Sequence, residues 1–201
     1  MTQLAFNFDF EAPIPVDVSV SVCSDEKVIA DTEDKTWWIG WGNQKEQDFL
    51  KLCAREAILP GIKGIKKSSG SKFRPEYTYQ GGYLDLKTVE TPFFLAQKHY
   101  GVDSNFAVSL NKPDVLDCTY KYPKCQLVFW VQWVSEIKYG VAVETRHEIR
   151  FLSYERMREL VSHAPEHIYQ KRIDDNKGNA KESYILDLRD MEFIWQGEVE
   201  R

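Results

Sequence analysis

Cysteine is scarce. The four residues Cys23, Cys53, Cys118 and Cys125 in a chain of 201 match no close-paired zinc spacing and are too few for a disulfide scaffold. Buried, reduced thiols are the expectation. Long apolar runs are missing too. The strongest, Leu127 to Trp133, is interrupted by Gln132, which excludes a membrane-spanning helix of about 20 residues. The N-terminus carries no basic region followed by an apolar segment, so a cytoplasmic setting is expected. There is no internal repeat, phosphate loop, nucleophile elbow or dinucleotide fingerprint.

Aromatic residues are plentiful, with 6 Trp, 10 Tyr and 11 Phe, a composition that leans toward sheet. The net charge of -5 is unevenly placed, because residues 1–36 hold eight acids against two lysines. The remainder of the chain is therefore close to neutral. This divides the sequence into an N-terminal arm with an acidic connection, 1–36, and a single domain, 37–201. In the arm, Leu4, Phe6, Phe8 and Phe10, then Val16, Val18, Val20 and Val22, alternate with polar residues, as extended chain laid over its own domain or over a partner would.

Residues 43–57 change to a helical period, with Phe49, Leu52 and Cys53 on one face, and Pro60-Gly61 opposes continuation. Between Arg55 and Arg74 six basic residues face one acid. Lys63, Lys66, Lys67, Lys72 and Arg74 lie there among Gly and Ser and suggest a mobile loop that follows a phosphate backbone. A hairpin follows, Phe73–Tyr79 and Tyr83–Val89 around Gln80-Gly81-Gly82. Short elements are then expected at 93–100, 106–110, 140–145, 154–164, 184–188 and 191–195, with 111–124 irregular or weakly helical. The run 126–134 is the best central strand, since its unbroken apolarity requires cover on both faces. This order of elements predicts an α/β domain with a central mixed sheet flanked by helices.

The hairpin carries the chemistry. Two residues apart on a strand, Asp85 and Lys87 project to one side while Leu86 points to the other. Glu76 on the adjacent strand can bring a second carboxylate close. Two carboxylates and the backbone carbonyl of Leu86 suit Mg²⁺, which takes oxygen ligands and keeps several waters. As solvent-facing charges on an exposed strand, the same residues would have no such role.

Arg74-Pro75-Glu76 followed by Asp85-Leu86-Lys87 resembles the PD-(D/E)xK nuclease signature, with Glu76 in the position more often held by Asp. The resemblance covers residues 43–133, about half the chain. It implies a restriction-endonuclease-like core and a metal-dependent DNA endonuclease of restriction or homing type, acting on double-stranded DNA with Mg²⁺ or, in substitution, Mn²⁺. Glu76, Asp85 and Lys87 would be catalytic, the two acids with the Leu86 carbonyl holding the ion. A Glu from the preceding helix often completes such sites; Glu56 is the first choice and Glu46 the second. Cutting both strands suggests a homodimer with two centres. Two rivals are carried forward, a non-catalytic DNA-binding protein on the same fold and a structural or interaction protein. Gln3-Leu4-Ala5-Phe6 is similar to short peptides that dock on bacterial sliding clamps, though an ordinary edge strand is the preferred reading.

Overall fold

The computed structural model describes residues 35–59, 61–69, 75–168 and 182–197, with side chains from residue 40 onward. Residues 1–34, Lys72 and Arg74 lie outside the described residues. Helix α1, Lys35–Glu56, begins earlier than the apolar period alone suggested. It ends where Ala57 turns into the left-handed region at φ 50° while its amide still bonds the Cys53 carbonyl at 3.1 Å.

The strands follow as β1 (Lys66–Lys67), β2 (Tyr77–Tyr79) and β3 (Gly82–Val89), then α2 (Ala96–Tyr100), β4 (Ala107–Asn111) and α3 (Lys112–Leu116). One π-helical turn, Asp117–Lys121, leads into β5 (Gln126–Trp133). After that come β6 (Glu136–Lys138), β7 (Val141–Val143), β8 (Arg146–Leu152), α4 (Tyr154–Val161), β9 (Glu166–Ile168), β10 (Glu182–Asp187) and β11 (Glu192–Gln196). Six strands form the main sheet in the order β1-β2-β3-β5-β8-β11, β4-β10-β9 form a second sheet, and β6-β7 stand as a hairpin. In the main sheet β3 and β5 are parallel; the other neighbours are antiparallel.

β5 is the central strand that its composition predicts. Leu127, Phe129, Val131 and Trp133 enter one core with Val108 and Leu110 of β4, Val115 of α3 and Met157 of α4. Val128 and Trp130 enter a second core with Phe49 and Leu52 of α1. The pleat thus gives the sheet two covered faces, α1 on one and α3, α4 and the small sheet on the other. β3 shares this division. Leu84 and Leu86 are buried on the α1 side, whereas Tyr83 and Val89 pack toward the opposite core.

Several ends follow ordinary local chemistry. The Ser153 hydroxyl caps α4 by accepting from the Arg156 amide at 3.1 Å. Gly101, at φ 73°, closes α2 in the left-handed conformation. Between β2 and β3 the turn is tighter than the three residues expected, because Tyr79 pairs with Gly82 and leaves Gln80-Gly81 as a two-residue loop. The basic segment is also less irregular than expected: Lys66 and Lys67 pair with Thr78 and Tyr77.

β8 is a strand that the sequence disguised with charge. Its Glu148 is 5% exposed, held by Arg146 and Arg150 at 2.8 Å each. Arg146 and Arg150 are therefore neutralised from within the strand, and Arg156 likewise by Glu159 at 2.8 Å. Removing Glu148 would leave two mostly buried guanidinium groups without their carboxylate, an expected loss of about 3 kcal/mol. Glu144→Ala, at an exposed position, should change stability by less than about 0.5 kcal/mol. Urea unfolding of Glu148→Ala and Glu144→Ala side by side checks this contrast.

Candidate active site

Tyr77 pairs with Leu84 in the β2–β3 hairpin, so Glu76, one step earlier, stands across from Asp85 one step later. Tyr77, Leu84 and Leu86 belong to the core under α1; by the strand's alternation Glu76, Asp85 and Lys87 share the other face. The three residues expected to converge do so. Glu76 Oε2 accepts from the Leu86 amide at 3.0 Å, and its carboxyl is hydrogen-bonded to Asp85. Lys87 Nζ lies 2.7 Å from Asp85 Oδ2.

Two carboxylates in contact, Asp85 buried and Glu76 half-buried, cannot both carry charge cheaply. Burial raises the Glu76 carboxyl first, and its hydrogen bond and repulsion with Asp85 raise it further, to about 9. Burial also pushes Asp85 upward, but the Lys87 charge and hydrogen bonds from Glu76 and Lys87 hold it below its ordinary value. Glu76 therefore carries the proton that the pair shares. Lys87 is driven upward despite its burial, because Asp85, Asp114 and Glu76 surround it.

Asp114 is the participant that sequence reasoning missed. It lies in the first turn of α3 and brings Oδ2 to 2.8 Å from Lys87 Nζ. The pattern Asn111-Lys112-Pro113-Asp114 does carry a helix-start signal, with Pro and an acid in the first turn. What it could not give is the placement of that turn over the β3 face bearing Lys87.

The helix acids go elsewhere, because α1 covers the opposite side of the sheet. Glu56 pairs with Arg55 at 2.6 Å and accepts from the Trp195 indole. Glu46 pairs with Lys67 at 2.9 Å. Of the basic residues proposed for phosphate contact, Lys63 and Lys66 are exposed. Lys67 is divided between Glu46 and the Asn43 side chain, 3.1 Å away. The segment nonetheless lies beside the site, since the Ser68 amide bonds the Glu76 carbonyl at 2.8 Å.

Among the described residues no three His, Cys, Asp or Glu side chains converge as a metal-holding group. The smaller donor set of Glu76, Asp85 and the Leu86 carbonyl still fits a hard divalent cation. The amide and carbonyl of one strand residue leave on the same side, so the Leu86 carbonyl opens toward Glu76, whose carboxylate meets the Leu86 amide. Such a cation takes its remaining ligands from water.

The proton on Glu76 has a thermodynamic consequence in EDTA. The unfolded chain loses it near the ordinary value of 4.5, the folded chain only near 9. The native state thus binds more protons across this interval, and the contribution to stability, fully present below 4.5, is lost as pH rises through 9. Glu76→Gln mimics the protonated acid, accepting from Leu86 and donating to Asp85. Its stability relative to wild type should rise steadily between pH 5 and 9, as measured by urea unfolding at fixed ionic strength.

No protein-family model matches the chain, and neither a curated protein nor a solved structure does so.

Proposed function

We propose that the protein is a metal-dependent DNA endonuclease with a restriction-endonuclease-like core. The observation that supports it most is the adjacent Glu76 and Asp85 carboxyls, Glu76 Oε2 on the Leu86 amide at 3.0 Å and the Lys87 ammonium 2.7 Å from Asp85 Oδ2 on the same strand face. Lys87 already pairs with Asp85 and Asp114; Glu76 is a further acid beside them, which a proton or a bound cation must neutralise. The parallel pairing of β3 with the central β5 is compatible with the fold implied by the signature.

In this reading Glu76, Asp85 and the Leu86 carbonyl would hold Mg²⁺, with Mn²⁺ as substitute. The ion supplies, when bound, polarisation of the phosphodiester and a more acidic water. As a ligand Glu76 would serve in its deprotonated form, its proton having passed to solvent. Lys87 holds negative charge on the scissile phosphate, as a compact ammonium that a planar guanidinium could not replace. Lys63 and Lys66 lie on the exposed segment beside Glu76 and attract the DNA backbone without reading its sequence. Lys72 and Arg74 extend that segment in sequence. A homodimer would place one centre on each strand, in a cytoplasmic setting. No helix among the described residues is long and apolar enough to cross a membrane.

The test is single-turnover cleavage of supercoiled and linear duplex with Mg²⁺, Mn²⁺ or EDTA. Asp85→Ala should lose at least about a hundredfold in rate, and Lys87→Ala about a hundredfold. Binding of DNA in Ca²⁺, which coordinates more loosely, should change far less for Lys87→Ala. Cleavage that is equal in all three proteins would overturn the endonuclease reading. Wild-type binding to duplex without cleavage under any metal would favour the non-catalytic DNA-binding protein.

A further inference from the structure

Lys87 stands where a cation at Asp85 would meet it. Its ammonium is 2.7 Å from Asp85 Oδ2, an oxygen on one of the two acids available to an ion. Like charges so close repel strongly, so the ammonium must leave that oxygen before a cation can use it. The Lys87 side chain is 23% exposed, and an ammonium so largely shielded from water is costlier unpaired than paired. A second carboxylate is already in reach: Asp114 Oδ2, 2.8 Å from Lys87 Nζ.

Asp114 is held in position from the side of the small sheet. The Asn111 amide nitrogen lies 3.4 Å from Asp114 Oδ2, and the Ser183 hydroxyl of β10 donates to Asn111 Oδ1 at 3.0 Å. Ser183 is fully buried and pairs directly with Asn111 in the β4–β10 ladder. Lys112, the next residue, is fixed to Glu166 of β9 and Glu182 of β10 at 2.7 and 2.9 Å. The first turn of α3 is thus pinned to both neighbouring strands, and Asp114 does not depend on Lys87 for its place.

We infer that Asp114 is a positioning residue that receives the Lys87 ammonium from Asp85 and so frees the Asp85 oxygen for a divalent cation. This inference rests on the reading of Glu76 and Asp85 as the cation-holding acids. Asp114 acts through Lys87, without itself touching the ion. Exchange between two carboxylates keeps the ammonium paired throughout and leaves its charge beside the site for a phosphate. Without Asp114, Lys87 has only Asp85 to hold and competes with the ion for it.

A double-mutant cycle on the full-length protein tests this, with the dissociation constant of Mn²⁺ alone measured by calorimetry and by manganese paramagnetic resonance, without DNA. Asp114→Asn should weaken Mn²⁺ binding at least about tenfold where Lys87 is present. In a chain carrying Lys87→Met, the same change should matter at least about tenfold less. Asp114→Glu should restore binding to within about threefold of wild type, a rescue that lost packing would not give. Should Asp114→Asn fail to fold, Asn111→Ala loosens Asp114 from outside the site, and its weakening of Mn²⁺ binding should likewise vanish with Lys87→Met. Equal effects in the two backgrounds would overturn the inference, making Asp114 a direct ligand or a remote charge, and would leave the endonuclease reading standing. No effect with Lys87 present would overturn it too. Wild-type protein that binds no Mn²⁺ at millimolar concentration would overturn both.

Discussion

Burying Leu84 and Leu86 against α1 is the constraint from which the charged site follows. A strand has two faces and a period of two, so committing these leucines to the α1 core assigns Asp85 and Lys87 to the other one. The hairpin register then sets Glu76 beside them. Slipping β3 by one residue would send both charges into the apolar packing of Phe49 and Trp130. The apolar residues thereby determine where the acids meet.

The same division explains which groups answer those acids. α1 is on the wrong side of the sheet to contribute, and its Glu46 and Glu56 are engaged with Lys67, Arg55 and Trp195. The opposite layer is built from α3, α4 and the small sheet, and it delivers Asp114. The charged cluster is therefore shared between a hairpin of the main sheet and a helix secured by the second sheet, with Lys87 touching both.

Much of this was legible in the residues. The run 126–134 announced a strand covered on both faces, Pro60-Gly61 marked the end of the first helix, and the spacing of Glu76, Asp85 and Lys87 anticipated their convergence. The misses have physical reasons. β8 alternates charge with apolar residues, and only the mutual neutralisation of Arg146, Glu148 and Arg150 allows it into the interior. The short pairing of Lys66 and Lys67 with β2 arises from contact with a neighbouring strand, which their polarity does not encode. Asp114 has a readable local helix signal, but its meeting with Lys87 depends on the packing of one sheet over another, for which no periodicity exists.

The parallel pairing of β3 with β5 bears on the order in which the site comes into being. The β2–β3 hairpin closes through a two-residue loop, the kind of contact that forms within microseconds. Parallel strands cannot be joined so briefly; here the whole stretch from Glu90 to Cys125 must be threaded first, and it contains α3. Contacts between residues distant in the chain form late. An unfinished fold would therefore hold two acids and a lysine on a loose ribbon, without Asp114. The mature arrangement of charges is a product of the last stages of folding, so that the charged cluster and the completed topology arrive together.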